Sequence, residues 1–126
     1  MVLNMIVVDD SALMRLVIAR ALRMLGLPIG RIDEAGDGVA ALAALRTRSF
    51  DLALVDINMP HMNGIELIEM IGRDAELAQV PIVVVSTEAS KARLAGVRNR
   101  AIRFLRKPFD PERLLEAVVG ALGGQP

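Results

Sequence analysis

Three short, wholly apolar runs, Met5–Val8, Leu52–Val55 and Ile82–Val85, constrain this chain more than any other feature. A strand that is apolar on both faces must be covered on both sides, and a parallel sheet flanked by helices does that. Two further runs, Ile32–Ala35 and Ile102–Leu105, are as short but carry charge, as suits strands nearer a sheet edge. Arginine on the last of them also discourages edge-to-edge pairing. Between the strands lie amphipathic segments that predict helices over Ser11–Leu25, Gly38–Arg48, Gly64–Gly72, Ser90–Val97 and Pro111–Leu122. Asp110 is placed to cap the last, and Pro111 stands where a missing N–H costs nothing. In Ser11–Leu25 the polar residues Arg15, Arg20 and Arg23 fall within an arc of about 140°, which predicts one thin polar stripe facing solvent. Five strands alternating with five helices predict an α/β domain with a parallel sheet covered on both faces. The expected domain spans residues 1–122, with 123–126 as a frayed tail.

A length of 126 residues fits one domain. Phe50, Phe104 and Phe109 are the only aromatic residues, so Val, Ile, Leu, Met and Ala must build the core. Fifteen basic and fifteen acidic residues give zero formal net charge, which argues against bulk nucleic-acid binding. With no cysteine there is no disulfide framework, thiolate nucleophile or cysteine metal site. The start of the chain lacks a basic segment before its apolar run, and no stretch approaches the ~20 apolar residues of a membrane span. A cytoplasmic, soluble monomer without membrane insertion is expected.

In open α/β sheets, ligands bind beyond the carboxyl ends of the strands. Asp9 and Asp10 follow the first run, Asp56 and then Asn58 the third, Ser86 the fourth, and Lys107-Pro108 the fifth. Three carboxylates, a hydroxyl and an ammonium are thus expected at one end of the sheet. Two carboxylates at ~4 Å repel by about 4 kcal/mol at an effective dielectric near 20, a large share of a domain stability of about 5–15 kcal/mol. A solvent-open cluster of oxygens relieves that by taking a hard divalent cation, Mg²⁺ first and Mn²⁺ as an alternative. The cation and Lys107 then balance three carboxylates and leave a site ready for an anionic phosphoryl group. Asp56 suits a carboxylate nucleophile that forms an acyl phosphate, and Ser86 can donate a hydrogen bond to the product.

The fragments Val8-Asp9-Asp10-Ser11, Asp56-Ile57-Asn58-Met59-Pro60 with Gly64, Val85-Ser86-Thr87-Glu88 and Lys107-Pro108-Phe109 resemble the signature set of response-regulator receiver domains. Each occurs often by chance, but all of them in order at strand ends make a specific set. The resemblance implies a flavodoxin-like (βα)5 fold, doubly wound, with strand order 2-1-3-4-5. It implies Asp56 as phosphoacceptor, and Asp9, Asp10, Asp56 and the backbone carbonyl of Asn58 as metal ligands. It also implies Lys107 and Ser86 as catalytic residues and a cis peptide before Pro108. Ser86 and Phe104 become the switch pair, Phe104 standing where the family keeps a rotating aromatic. The opening Asp9-Asp10-Ser11-Ala12-Leu13-Met14-Arg15, with Glu34-Ala35 and Asp37-Gly38-Val39, is similar to CheY-type chemotaxis receivers. Asn58 and Glu88 match the residues which in that subfamily go with rapid loss of the phosphoryl group. Arg100-Ala101 departs from the family's frequent Gly-Ala.

From Lys91 to Arg113 there are eight basic and two acidic residues, over half the positive charge of a neutral chain. Lys91, Arg98, Arg100, Arg103 and Arg106 are therefore expected to form a face for an acidic partner. The expected partners are a CheA-like histidine kinase and an output protein such as a flagellar motor switch. A phosphorelay shuttle, serving a histidine phosphotransfer domain, is the alternative output. From a different class, a small aspartyl-nucleophile phosphatase of the haloacid-dehalogenase kind uses similar groups. There, however, the nucleophile follows the first strand and the acidic pair comes late, the reverse of the order here. The chain is therefore expected to catalyse only its own aspartyl phosphorylation and dephosphorylation, not to act as an enzyme on other molecules.

Overall fold

The computed structural model describes residues 2–87 and 102–123. Within them run β1 (Leu3–Val8), α1 (Ala12–Arg23), β2 (Ile29–Ala35), α2 (Gly38–Thr47), β3 (Leu52–Asp56), α3 (Gly64–Arg73), β4 (Ile82–Ser86), β5 (Ile102–Arg106) and α4 (Pro111–Ala121). The helix expected over Ser90–Val97 lies outside the described residues. The strands form one parallel sheet in the order β2-β1-β3-β4-β5, the doubly wound, flavodoxin-like arrangement. The strands that hold the three wholly apolar runs are central and the two charged ones are the edges.

Alternation along the central strands explains why both of their faces are apolar. Ile6, Val8, Ala53, Val55, Ile82 and Val84 point to one side, where Ala41, Leu42 and Leu45 of α2 and Leu67, Ile68 and Ile71 of α3 cover them. Met5, Val7, Leu52, Leu54, Val83 and Val85 point to the other side, under Ile18 and Leu22 of α1 and Leu114, Ala117 and Val118 of α4. Each fully buried aliphatic side chain of this kind contributes roughly 1.5–3 kcal/mol. Asn4, the one polar residue of β1, sits where the β1–β2 register shifts. Its Oδ1 accepts from Arg31 N–H at 2.9 Å, and its own N–H donates to Asp51 Oδ2 at 2.8 Å.

Every described helix opens on a side-chain cap. Ser11, Asp37, Asn63 and Asp110 accept from the N–H groups of Met14, Ala40, Glu66 and Arg113, at 2.8–3.1 Å. Asn63 and Glu66 complete a reciprocal capping box. Because each of these helices follows a strand of a parallel sheet, the capped N-termini lie at its carboxyl end, where the polar strand ends emerge.

Local boundaries differ from the sequence pattern where tertiary contacts outweigh it. Helix α1 stops at Arg23, although the apolar period runs on to Leu25. Leu25 and Leu27 pack on the core from an irregular segment in which Gly26 has φ +81°. Strand β2 begins three residues earlier than Ile32, because its pairing with β1 carries it back to Ile29. The thin polar stripe expected on α1 forms only in part: Arg20 and Arg23 are exposed, but Arg15 is not part of it and the rest of the exposed face is apolar. Its outer face exposes Leu13, Leu16, Val17 and Met24, with Leu13 and Met24 at 70% and 84%, while Arg15 turns inward to 18% side-chain exposure.

Candidate functional site

Beyond the carboxyl ends of β1 and β3, carboxylate oxygens of Asp9, Asp10 and Asp56 lie within 4.8 Å of one another. Asp56 is the last residue of β3 and Asp9 the first after β1, and these neighbouring strands bring the two together. Asp9 is 2% exposed and Asp56 8%, whereas Asp10 faces solvent. From the end of β5, Lys107 reaches across with Nζ 3.4 Å from Asp56 Oδ1 and 3.6 Å from Asp9 Oδ2. Its own N–H donates to the Ser86 carbonyl at 2.8 Å, tying the ends of β4 and β5. The Lys107–Pro108 peptide is cis.

The electrostatics of this cluster are unbalanced. Burial holds the Asp56 carboxyl above its ordinary value; Lys107 opposes this by charge and by a long hydrogen bond, while the Asp9 charge and the Ile57 N–H act in opposite senses. Asp9 Oδ1 accepts from Ser11 N–H at 2.8 Å, but Asp9 Oδ2 is buried with no hydrogen-bond partner among the described residues. The Lys107 ammonium at 3.6 Å gives that oxygen a charge partner but is too far for a hydrogen bond. An unmatched buried carboxylate oxygen is costly, and Asp9 belongs to a cluster of three carboxylates. Such an all-oxygen donor set fits a hard divalent cation: oxygens on opposite sides of one Mg²⁺ stand about 4 Å apart, near the span seen.

The loop after β3 is held by close backbone approach. Gly64 N–H donates to Ile57 C=O at 2.9 Å, and a Cβ on Gly64 would stand 2.2 Å from the Asp56 carbonyl oxygen. Gly38, at the start of α2, receives Met62 in the same way, with its N–H on Met62 C=O at 3.0 Å. His61 between them adopts φ +65°, a left-handed conformation that histidine takes more readily than most side chains.

The remaining residues singled out from sequence separate into groups. Asn58 is exposed, two residues past Asp56. Ser86 is buried at the end of β4, paired with Arg106 across the sheet. Phe104 is 49% exposed and, with Ser86, Thr87 and Arg103, lines a cavity of about 450 Å³. Arg103 and Arg106 are exposed on edge strand β5. Glu88, Lys91, Arg98 and Arg100 lie outside the described residues.

Sequence reasoning misses two groups that the fold brings to the site. Arg15 donates through Nη1 to the Asp9 carbonyl and through Nε to Glu34 Oε1 at 2.8 Å, so α1, β1 and β2 are joined beside the acidic pair. An arginine on the first turns of a helix that follows an acidic strand end is the available signal, and reading it as part of a solvent stripe hides it. Gly38 has no sequence signal beyond a helix start, since its role depends on Met62.

Comparison with known proteins places these features among relatives. Residues 5–119 match the family model of the response regulator receiver domain. Chemotaxis protein CheY-3 of Vibrio cholerae is 33% identical over 115 residues, covering 90% of this chain and 87% of that protein. Chemotaxis protein CheY1 of Helicobacter pylori is 35% identical over 127 residues, covering 96% and 98%. Among solved structures, chemotaxis response regulator CheY4 of Vibrio cholerae superposes with a TM-score of 0.83 at 29% identity, over 97% of this chain and 100% of that one.

Proposed function

The chain belongs to the response regulator receiver family, and from that premise we propose that it is a phosphorylation switch of two-component signalling, charged on Asp56 and read out by protein docking. In this reading residues 1–122 are the receiver and 123–126 a tail. The observation that carries the proposal is the meeting of Asp9, Asp10 and Asp56 within 4.8 Å, with one buried Asp9 oxygen unmatched and Lys107 beside it.

An Asp56 carboxylate oxygen attacks the phosphorus of a phosphohistidine or a small acyl phosphate. The bond from phosphorus to the donor breaks, and an aspartyl phosphate forms. Asp56 must be ionised to do so, and Lys107, 3.4 Å away, favours that form against the effect of burial. The Lys107 ammonium then donates to the incoming phosphoryl oxygens and offsets their negative charge. Asp9, Asp10, Asp56 and the Asn58 carbonyl would hold Mg²⁺, or Mn²⁺, which supplies further neutralisation of those oxygens. Ser86 donates its hydroxyl to the bound phosphoryl group, and Phe104 repositions in the adjoining cavity as it does so. Asn58 and Glu88 set how fast water removes the group.

Kinase and target are proposed by class. A CheA-like histidine kinase donates, and the curated relatives are chemotaxis proteins, which favours docking on a motility target such as a flagellar motor switch in the cytoplasm. Lys91, Arg98, Arg100, Arg103 and Arg106 form the face for an acidic partner. A relay to a histidine phosphotransfer domain is the competing output.

The test is incubation of the monomeric protein with Mg²⁺ and acetyl phosphate, followed by intact-mass measurement. Wild type gains one phosphoryl group and Asp56→Asn gains none. An adduct that persists in Asp56→Asn, or steady turnover of a phosphomonoester, overturns the proposal. Phosphoryl transfer to an isolated histidine domain, without stable docking, would favour the relay. Arg103→Glu weakens partner binding at low salt if the basic face docks.

A further inference from the structure

Asp9 and Asp10 are joined by a single peptide group, so the orientation of that group sets how their two carboxylates stand to each other. Its carbonyl oxygen, that of Asp9, is where the Arg15 guanidinium lands. Other ties hold the two sides of this turn. Asp9 N–H donates to Ala35 C=O at 3.1 Å, and Ser11 N–H donates to Asp9 Oδ1 at 2.8 Å. For the linking peptide itself, the described structure gives the Arg15 bond. Arg15 is in turn fixed by Glu34 of β2, through Nε at 2.8 Å, and its Nη1 lies over Gly36, 3.6 Å from where a Cβ would be.

We propose that Arg15, held by Glu34, is a positioning residue that presents the Asp9 and Asp10 carboxylates to a divalent cation. The inference rests on the metal reading of the acidic cluster above. The guanidinium suits this task because its planar fork can bond a carbonyl and a carboxylate at once, which a single ammonium cannot do in the same geometry. Glu34 neutralises its charge, so Arg15 can stand behind an acidic site at reduced electrostatic opposition to a bound cation.

Position and charge make opposite predictions here. Acting only as a nearby positive charge, Arg15 repels a cation, and its removal tightens Mg²⁺ binding. Acting by position, it preorganises the site, and its removal weakens binding, by about tenfold to a hundredfold, the usual effect of losing a group that orients a metal ligand. The experiment is calorimetric titration of Mg²⁺ into the full chain at fixed pH and ionic strength, with the melting temperature recorded in parallel without metal. Arg15→Ala is expected to raise the Mg²⁺ Kd into that range, and Arg15→Lys to fall nearer to Ala than to wild type. Tighter binding by Arg15→Ala, or a lowered melting temperature with an unchanged Kd, overturns the inference.

Should Arg15→Ala not fold, substitutions at Glu34 decide the same question. Glu34→Gln and Glu34→Ala remove the same charge, but only Gln keeps an oxygen to hold Arg15. Weaker Mg²⁺ binding in Glu34→Ala than in Glu34→Gln supports positioning, and equal binding in the two overturns it. Wild type that gives no heat with Mg²⁺ removes the metal reading and this inference together. Intact wild-type binding with indifferent variants removes the Arg15 role alone.

Discussion

Replacing Gly64 by alanine tests how Asp56, the proposed phosphoacceptor, is held. The added Cβ would lie 2.2 Å from the Asp56 carbonyl oxygen, 2.8 Å from Ile57 Cα and 3.0 Å from the Asp56 carbonyl carbon. All three are backbone atoms, so no side chain can swing away. An ordinary carbon–oxygen contact is about 3.3 Å, and relief requires α3 and the end of β3 to part by about 1 Å. Overpacking of this kind costs about 1–3 kcal/mol, against a gain of at most about 1 kcal/mol from replacing glycine at the start of a helix. A net loss of up to about 3 kcal/mol lowers the melting temperature by up to roughly 10 °C. The same 1 Å acts on Asp56, where misplacement on that scale reduces reactivity about a hundredfold. Gly72, in the same helix, is the control, because a Cβ there meets nothing within 4 Å, and Gly72→Ala is expected to be neutral or stabilising. The chain has no Trp or Tyr, so unfolding is followed by far-ultraviolet circular dichroism in urea, and phosphorylation by the initial rate with acetyl phosphate. If Gly64→Ala matches Gly72→Ala in both stability and rate, close packing of α3 on the Asp56 backbone is not what positions that carboxylate.

Three other perturbations follow from the same geometry. Asp56 carries a carboxyl raised above its ordinary 3.8, chiefly by burial. The folded state therefore holds more protons than the unfolded one between 3.8 and the raised value, and stability falls as pH rises through that window. In chelator, Asp56→Asn should gain stability over wild type at neutral pH and lose that advantage as pH falls toward 3.8; an advantage that grows on acidification contradicts the assignment. Mg²⁺ at a hundred times its Kd should stabilise wild type by about 2.7 kcal/mol, roughly 10 °C in a thermal melt, and Asp9→Asn should remove most of the shift. Asp110→Ala, which deletes the cap on Arg113 N–H at 2.8 Å, should cost about 1 kcal/mol in urea unfolding with or without metal.

Much of the site is legible in the sequence because its chemistry sits at strand ends, where a change from apolar to polar residues marks the boundary. Asp9, Asp10, Asp56, Ser86 and Lys107 stand out that way, and so do the cap at Asp110 and the charged edge character of β2 and β5. Groups whose role depends on a distant partner carry no such mark. Arg15 looks like one arginine of a solvent stripe until β2 brings Glu34 within 2.8 Å. Gly38 and Gly64 look like helix starts until Met62 and the Asp56 backbone arrive against them.

Among the described residues, the amino-acid order alone settled the alternation of strands and helices, the apolar character of the central strands and the residue types at their ends, because hydrophobic period and capping act over a few residues. Packing decided the rest. Two adjacent aspartates, equivalent on paper, became a buried group with one unmatched oxygen and a solvent-facing neighbour. Burial and hydrogen-bond satisfaction are set by what the sheet order places alongside, and no local pattern records that.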